Sequence, residues 1–201
     1  MKNKYWIKNR LNDFYVKKSI INNYRSRSRF KIQEINNKFN IFKKNINIVD
    51  IGSSPGGWSE YASEIINNTG KIFSCDILPM KNINNVLFYK GDILDNNFLN
   101  KFIKEINGYD IKVVMSDVSP NISGFSCIDL PKIITLANLS LKIYLNLVKS
   151  NGYFILKLFY GNDINIFLKK IKLIFKNVNI FKPFSSSKNS SEFYIIANNL
   201  I

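Results

Sequence analysis

Ten consecutive residues constrain this chain more than any others: Asp50-Ile51-Gly52-Ser53-Ser54-Pro55-Gly56-Gly57-Trp58-Ser59. They follow the apolar run Ile46-Asn47-Ile48-Val49, which reads as a short buried strand. They lead into Glu60-Tyr61-Ala62-Ser63-Glu64-Ile65-Ile66, which has helical spacing. A strand, a glycine-rich turn and a helix start are the opening unit of a nucleotide-type α/β site. Glycine lacks a Cβ and tolerates positive φ, so such a turn lets the backbone approach a ligand. The turn ends its strand on an acid and carries no phosphate-binding Lys, so it is a poor P-loop. Its glycines are not spaced Gly-x-Gly-x-x-Gly, which argues against a dinucleotide pyrophosphate. The competing reading is a glycine-rich turn in an ordinary α/β protein.

The rest of the chain supports an α/β domain with a mainly parallel sheet. Strand-like runs fall at Ile46–Ile51, Lys71–Cys75, Val86–Tyr89, Lys112–Met115 and Tyr153–Leu158, with two more at Val178–Phe181 and Phe193–Ala197. Helical spacing marks Phe30–Phe39, Trp58–Asn67, Asn97–Ile106, Leu130–Val148 and Ile164–Phe175. In such sheets ligands bind at the carboxyl ends of the strands, and acids stand there. Asp76 is placed to accept from a ribose diol, Asp92 to contact an adenine amino group, and Asp117 follows the fourth strand. A single strand-end acid is as readily a cap for the next helix; three in register with a glycine turn are harder to explain that way. A ligand with a positive centre and no phosphate suits the turn, and S-adenosylmethionine is one.

Charge supplies the second constraint. The chain has 29 Lys+Arg against 14 Asp+Glu, a formal charge of +15. Such an excess calls for a polyanionic partner, nucleic acid or an anionic membrane surface. No apolar run approaches membrane-spanning length, and no h-region marks a signal peptide. Histidine is absent, which excludes His general bases, Ser-His-Asp triads and His-ligated metals. Cys75 and Cys127 form no metal pattern. The first 30 residues are basic with one acid, Asp13, a composition also found in transit peptides.

Five stretches, in order, carry a resemblance. They are Tyr24 through Lys31; Val49 through Trp58; Ser116-Asp117-Val118-Ser119-Pro120-Asn121-Ile122-Ser123-Gly124; Gly152 through Phe159; and Lys182-Pro183 with Ser191-Glu192-Phe193-Tyr194. Together they resemble the FtsJ/RrmJ family of ribosomal RNA ribose 2′-O-methyltransferases over nearly the whole chain. The resemblance implies a Rossmann-like class I fold, a seven-stranded mostly parallel sheet with helices on both faces. It also implies one domain over residues 1–201, with residues 1–40 a basic helical region that includes Trp6 and is not a presequence. The loop after Asp117 is more similar to the ribosomal branch than to the tRNA branch, which implies a uridine of large-subunit RNA as target.

Carried over residue by residue, the resemblance implies a catalytic set of Lys31, Asp117, Lys157 and Glu192. Cofactor contacts would come from Asp50, Gly52, Ser54, Pro55, Gly56, Gly57, Trp58, Asp76, Asp92 and Asp117. RNA contacts would come from Arg25, Arg27, Arg29, Lys31, Lys182 and Lys188; if the Arg25–Lys31 stretch is extended, its alternate basic side chains share one side. Tyr24 and Phe30 either stack on bases or pack against the sheet. S-adenosylmethionine is the expected cofactor, S-adenosylhomocysteine the product, and no metal is required. Ribosomal RNA or the large subunit is the expected partner, no membrane is involved, and a monomer is the default. The chain departs from the family at Ser187, where Arg is frequent, and at Arg29, where a small or aromatic residue is frequent. Lys157, taken alone between Ile155-Leu156 and Leu158-Phe159, would read as a snorkelling edge residue. The rivals are a methyltransferase of tRNA or an RNA cap, and a non-catalytic ribosome-assembly factor. The compartment stays open between mitochondrion, other organelle, nucleolus and cytoplasm.

Overall fold

The structure, a computed structural model, describes residues 13–67, 69–149, 151–161, 164–187 and 190–201. Trp6 and Lys188 lie outside the described residues. Two helices come first, α1 (Phe14–Ile21) and α2 (Ser28–Phe39). Then follow β1 (Asn47–Ile51), α3 (Gly57–Ile66), β2 (Ile72–Asp76), β3 (Val86–Lys90), α4 (Asn96–Ile106), β4 (Ile111–Ser116) and α5 (Ser126–Leu147). The chain closes with β5 (Tyr153–Phe159), α6 (Ile164–Ile174), β6 (Phe175–Phe181) and β7 (Glu192–Leu200).

The strands make one seven-stranded sheet in the order β3-β2-β1-β4-β5-β7-β6, parallel except where β7 inserts antiparallel between β5 and β6. The central strands are apolar on both faces because both are covered. Val49 and Ile51 pack with Leu99 and Phe102 of α4, Leu141 and Tyr144 of α5, and Phe167 and Ile171 of α6. Ile48 points to the other layer, with Ile32 and Ile35 of α2 and Trp58 and Tyr61 of α3. The winding direction reverses between β1 and β4, so a crevice opens at their carboxyl ends. Among the described residues no helix is long and apolar enough to cross a membrane.

Among the boundaries that differ from expectation, three change how nearby residues are read. The β6 strand starts at Phe175, directly from α6, because Phe175 is buried in the core whereas the residues after it alternate less cleanly. Helix α5 begins four residues before Leu130, so Pro131 lies within it and not near its start. Helix α2 begins at Ser28, so the stretch from Arg25 to Lys31 is not extended and its basic side chains do not form one row.

Candidate active site

The crevice is a cleft of about 660 Å³ at the ends of β1, β2 and β4. Gly52, Ser54, Asp76, Asp92 and Asp117 line it. Asp76 is fixed by backbone amides: Oδ2 accepts from Ser54 N–H at 2.9 Å and Oδ1 from Leu78 N–H at 2.8 Å. A carboxylate has about four lone-pair sites, so two remain for a ligand. Asp92 accepts from Leu94 N–H at 2.9 Å and is not a helix cap; the cap of α4 is Asp95. Ile77, Leu78 and Leu94 are large apolar side chains left exposed on the cleft wall. Acceptors for hydroxyls beside apolar walls suit a nucleoside, and this fits S-adenosylmethionine.

Beside the cleft, two ion pairs meet. Lys157 Nζ lies 3.0 Å from Asp117 Oδ1 and also donates to the Asp117 carbonyl. Lys31 Nζ pairs with Glu192 Oε1 at 2.5 Å. Tyr194 joins them: its hydroxyl donates to Asp117 Oδ1 at 3.1 Å, and its ring centroid lies 6.0 Å from Lys31 Nζ. The sheet explains the meeting. Lys157 stands directly opposite Tyr194 across the β5–β7 pair, and Glu192 is two residues before Tyr194 on the same face. Lys31 comes from α2, which covers that face. Burial, with Asp117 and Glu192 nearby, pushes the Tyr194 phenol well above its usual range, so it stays a donor. The structure thus brings Lys31, Asp117, Lys157 and Glu192 together, and Asp117 belongs to both cleft and cluster.

Comparison with known proteins agrees with this geometry. The profile of the FtsJ-like methyltransferases matches residues 24–200. The chain belongs to the FtsJ-like methyltransferase family. It is 47% identical over 194 residues to "Ribosomal RNA large subunit methyltransferase E" of Buchnera aphidicola subsp. Cinara cedri, covering 96% of this chain and 93% of the relative. The protein of the same name from Buchnera aphidicola subsp. Acyrthosiphon pisum is 41% identical over 192 residues, with the same coverage. Among solved structures, one from Plasmodium falciparum described as a ribosomal RNA methyltransferase superposes with a TM-score of 0.76 at 29% identity, over 88% of this chain and 98% of that one. Human methyltransferase-like protein 13, solved with SAH, shares the fold alone: TM-score 0.56, 15% identity, 76% of this chain and 71% of that one.

Several expected contacts of this methyltransferase are placed elsewhere. Asp50 is fully buried under α3, not in the cleft; Oδ2 accepts from Ser59 Oγ at 2.6 Å and Oδ1 has no partner. Burial pushes its carboxyl up to about 7, against the lowering effect of Ser59. Gly56 and Gly57 serve packing: a Cβ at Gly56 would meet Arg25 Cδ at 2.9 Å, and one at Gly57 would meet Ser26 Oγ at 2.2 Å. At Gly52, which has φ +74°, a Cβ would meet the Val118 backbone at 2.6 Å. The close approach these glycines allow is therefore first to the chain itself. Trp58 is buried, donates to Ser28 O at 3.1 Å and packs on Tyr194 at 5.7 Å between centroids. Pro55 follows a cis peptide and accepts from Arg25.

Arg29 is a second correction. Arg29 is 4% exposed, forks onto Glu64, and stacks on Tyr24 with its guanidinium carbon 4.0 Å from the ring centroid. It is a packing residue, not part of an RNA face. Arg25 donates to the carbonyls of Lys81 (2.8 Å) and Asn82 (2.6 Å), and Arg27 to Asp13 and Ser185 O. Tyr24 and Phe30 pack on each other at 5.8 Å, so neither is a free stacking platform. Lys182 donates to Ser190 O at 2.7 Å. Sequence reasoning missed Tyr194, Glu34 and Asp129. Strand alternation from Glu192 points to Tyr194. Asp129 accepts from Ser123 N–H (2.9 Å), Ser123 Oγ (2.8 Å) and Gly124 N–H (2.9 Å), bonds that hold its carboxyl below the usual range and close the loop after β4.

Proposed function

We propose that this chain methylates a ribose 2′-oxygen of large-subunit ribosomal RNA, on a uridine, with S-adenosylmethionine as donor and no metal. The reading treats the chain as one domain acting as a monomer. The observation that carries it is the pair of ion pairs joined at Tyr194 and opening on the cleft through Asp117. The relatives named as large-subunit ribosomal RNA methyltransferases support the choice of RNA.

Bound in the cleft, S-adenosylmethionine supplies an electrophilic methyl group on a sulfonium. Asp76 would hold its ribose hydroxyls, the walls at Ile77 and Leu94 its base, and Asp92 the base's amino group. Gly52 and Asp117 would border its methionine end. A hydroxyl becomes a nucleophile as its proton leaves, and the developing charge on oxygen must be stabilised. Lys157 stabilises that charge as a fixed cation, and the proton leaves to solvent water as the oxygen takes the methyl group and the sulfonium becomes a neutral thioether. Two of the lysine's contacts go to Asp117, and an ammonium has three N–H groups, so one remains for the attacking oxygen. Asp117 aims that ammonium, Tyr194 aims Asp117, and Glu192 holds Lys31 for the substrate ribose or phosphate.

The test is transfer from labelled S-adenosylmethionine to large-subunit particles lacking ribose methylation, with the modified nucleotide mapped. Wild type should label one 2′-oxygen, and Lys157→Ala should lose at least about 100-fold in rate. Label on a base, on transfer RNA or nowhere would overturn the reading. A Lys157→Ala rate equal to wild type would remove the lysine from its role.

A further inference from the structure

Phe184 is 88% exposed, the largest exposure of any aromatic side chain among the described residues. Its backbone is hydrogen-bonded to helix α2 and to the residues beside it. Glu34 accepts from Phe184 N–H at 2.6 Å and Ser185 N–H at 2.9 Å. Arg27 donates to Ser185 O at 2.5 Å, and Ser186 N–H to Pro183 O at 3.1 Å. The next side chains, Ser185 and Ser186, are buried, and Ser186 Oγ donates at 2.7 Å to Glu192, the partner of Lys31. The ring is displayed two residues from Ser186, whose hydroxyl is bonded to Glu192 of the catalytic cluster. Phe14, 67% exposed, sits on the same flank, because Arg27 ties its neighbour Asp13 to this loop.

We propose that Phe184 is a stacking platform for a nucleobase of the substrate RNA near the target ribose. The proposal rests on the RNA reading above. A chain of charge +15 attracts a polyanion, and among exposed apolar side chains an aromatic ring is the kind that every base can match through its π-face. Fixing the loop beforehand removes the ordering cost that a mobile ring would carry. The lysines hold the ribose and phosphate, and Phe184 sets the register of the strand by clamping a base beside them.

The experiment uses the full chain and under-methylated large-subunit particles. Phe184→Ala and Phe184→Leu should each raise KM about tenfold, the order of one base–aromatic stack. Their kcat and S-adenosylmethionine affinity should stay near wild type, and Phe184→Trp should restore KM. Ultraviolet cross-linking should join the peptide containing Phe184 to a nucleotide. Unchanged KM in Phe184→Ala overturns the proposal. So does full rescue by Phe184→Leu, or a cross-link to a ribosomal protein, since each points to apolar docking on protein. Filter retention of the same particles without cofactor reads the contact apart from the chemistry. A wild type that binds with a Phe184-dependent affinity and transfers no methyl group would sink the functional reading and leave the platform standing.

Discussion

The cleft and the charge cluster share one carboxylate, Asp117, yet they are built in different ways. In the cleft, acids at strand ends are held by backbone amides a few residues or one strand away: Asp76 by Ser54 and Leu78, Asp92 by Leu94. In the cluster, side chains hold side chains, and the partners are far apart in sequence: Lys31 with Glu192, Asp117 with Lys157 and Tyr194. Backbone-held acids can be altered singly. Mutually paired charges cannot, because removing one leaves its partner buried and unmatched. The cleft should therefore fail one contact at a time and the cluster as a unit.

The residue common to both gives the largest break. Asp117→Asn should lower the methyl-transfer rate at least about 100-fold, because the ammonium of Lys157 loses its charged anchor. It should weaken S-adenosylmethionine binding as well, since Asp117 lines the cleft. It should also cost about 3 kcal/mol of stability, the order seen when one partner of a buried pair is neutralised. Single-turnover rates, cofactor titration and denaturant unfolding measure the three. A variant that loses rate with unchanged cofactor affinity would separate the two halves.

Asp76→Ala is the opposite case, confined to the cleft. Its lost bonds to ligand hydroxyls should raise the S-adenosylmethionine Kd about tenfold or more, in the range for charge-assisted hydrogen bonds. The rate at saturating cofactor should stay within a few-fold of wild type, because Asp76 touches none of the cluster's side chains in the bonds it makes. A fall in that saturated rate as large as that of Asp117→Asn would show that the halves are not separable.

The same contrast decides what was legible in the sequence. The strand–turn–helix unit and the strand-end acids depend on spacing within a few dozen residues, and the first five strands and the acids Asp76, Asp92 and Asp117 lie close to where local pattern places them. The meeting of Lys31 with Glu192 depends on β7 folding back antiparallel beside β5, which no local spacing encodes; the family resemblance supplied it. Arg29 failed for a related reason: the sequence shows its charge but not the acids Glu60 and Glu64 onto which it folds. Gly57 likewise has a packing role that its motif does not show: it makes room for Ser26.

The effect with the least bearing on methyl transfer concerns Asp50, which belongs to neither half although it is the acid of the glycine motif. Its folded carboxyl titrates at about 7, above the usual 3.8, because it is buried with one oxygen unpartnered. Between those values the folded protein holds a proton that the unfolded chain has released. Stability from this group is therefore present below about pH 4 and is lost as pH rises towards 7, with a limiting slope of about 1.4 kcal/mol per pH unit. Asp50→Asn keeps an acceptor for Ser59 and removes the titration. Its stability relative to wild type should improve as pH rises from about 4 to 7 and level off above, measured by unfolding at each pH. Parallel curves for the two proteins would mean that the buried carboxyl is already matched when charged. The acid would then have to be counted with the paired charges of the cluster, not as a lone acid under α3.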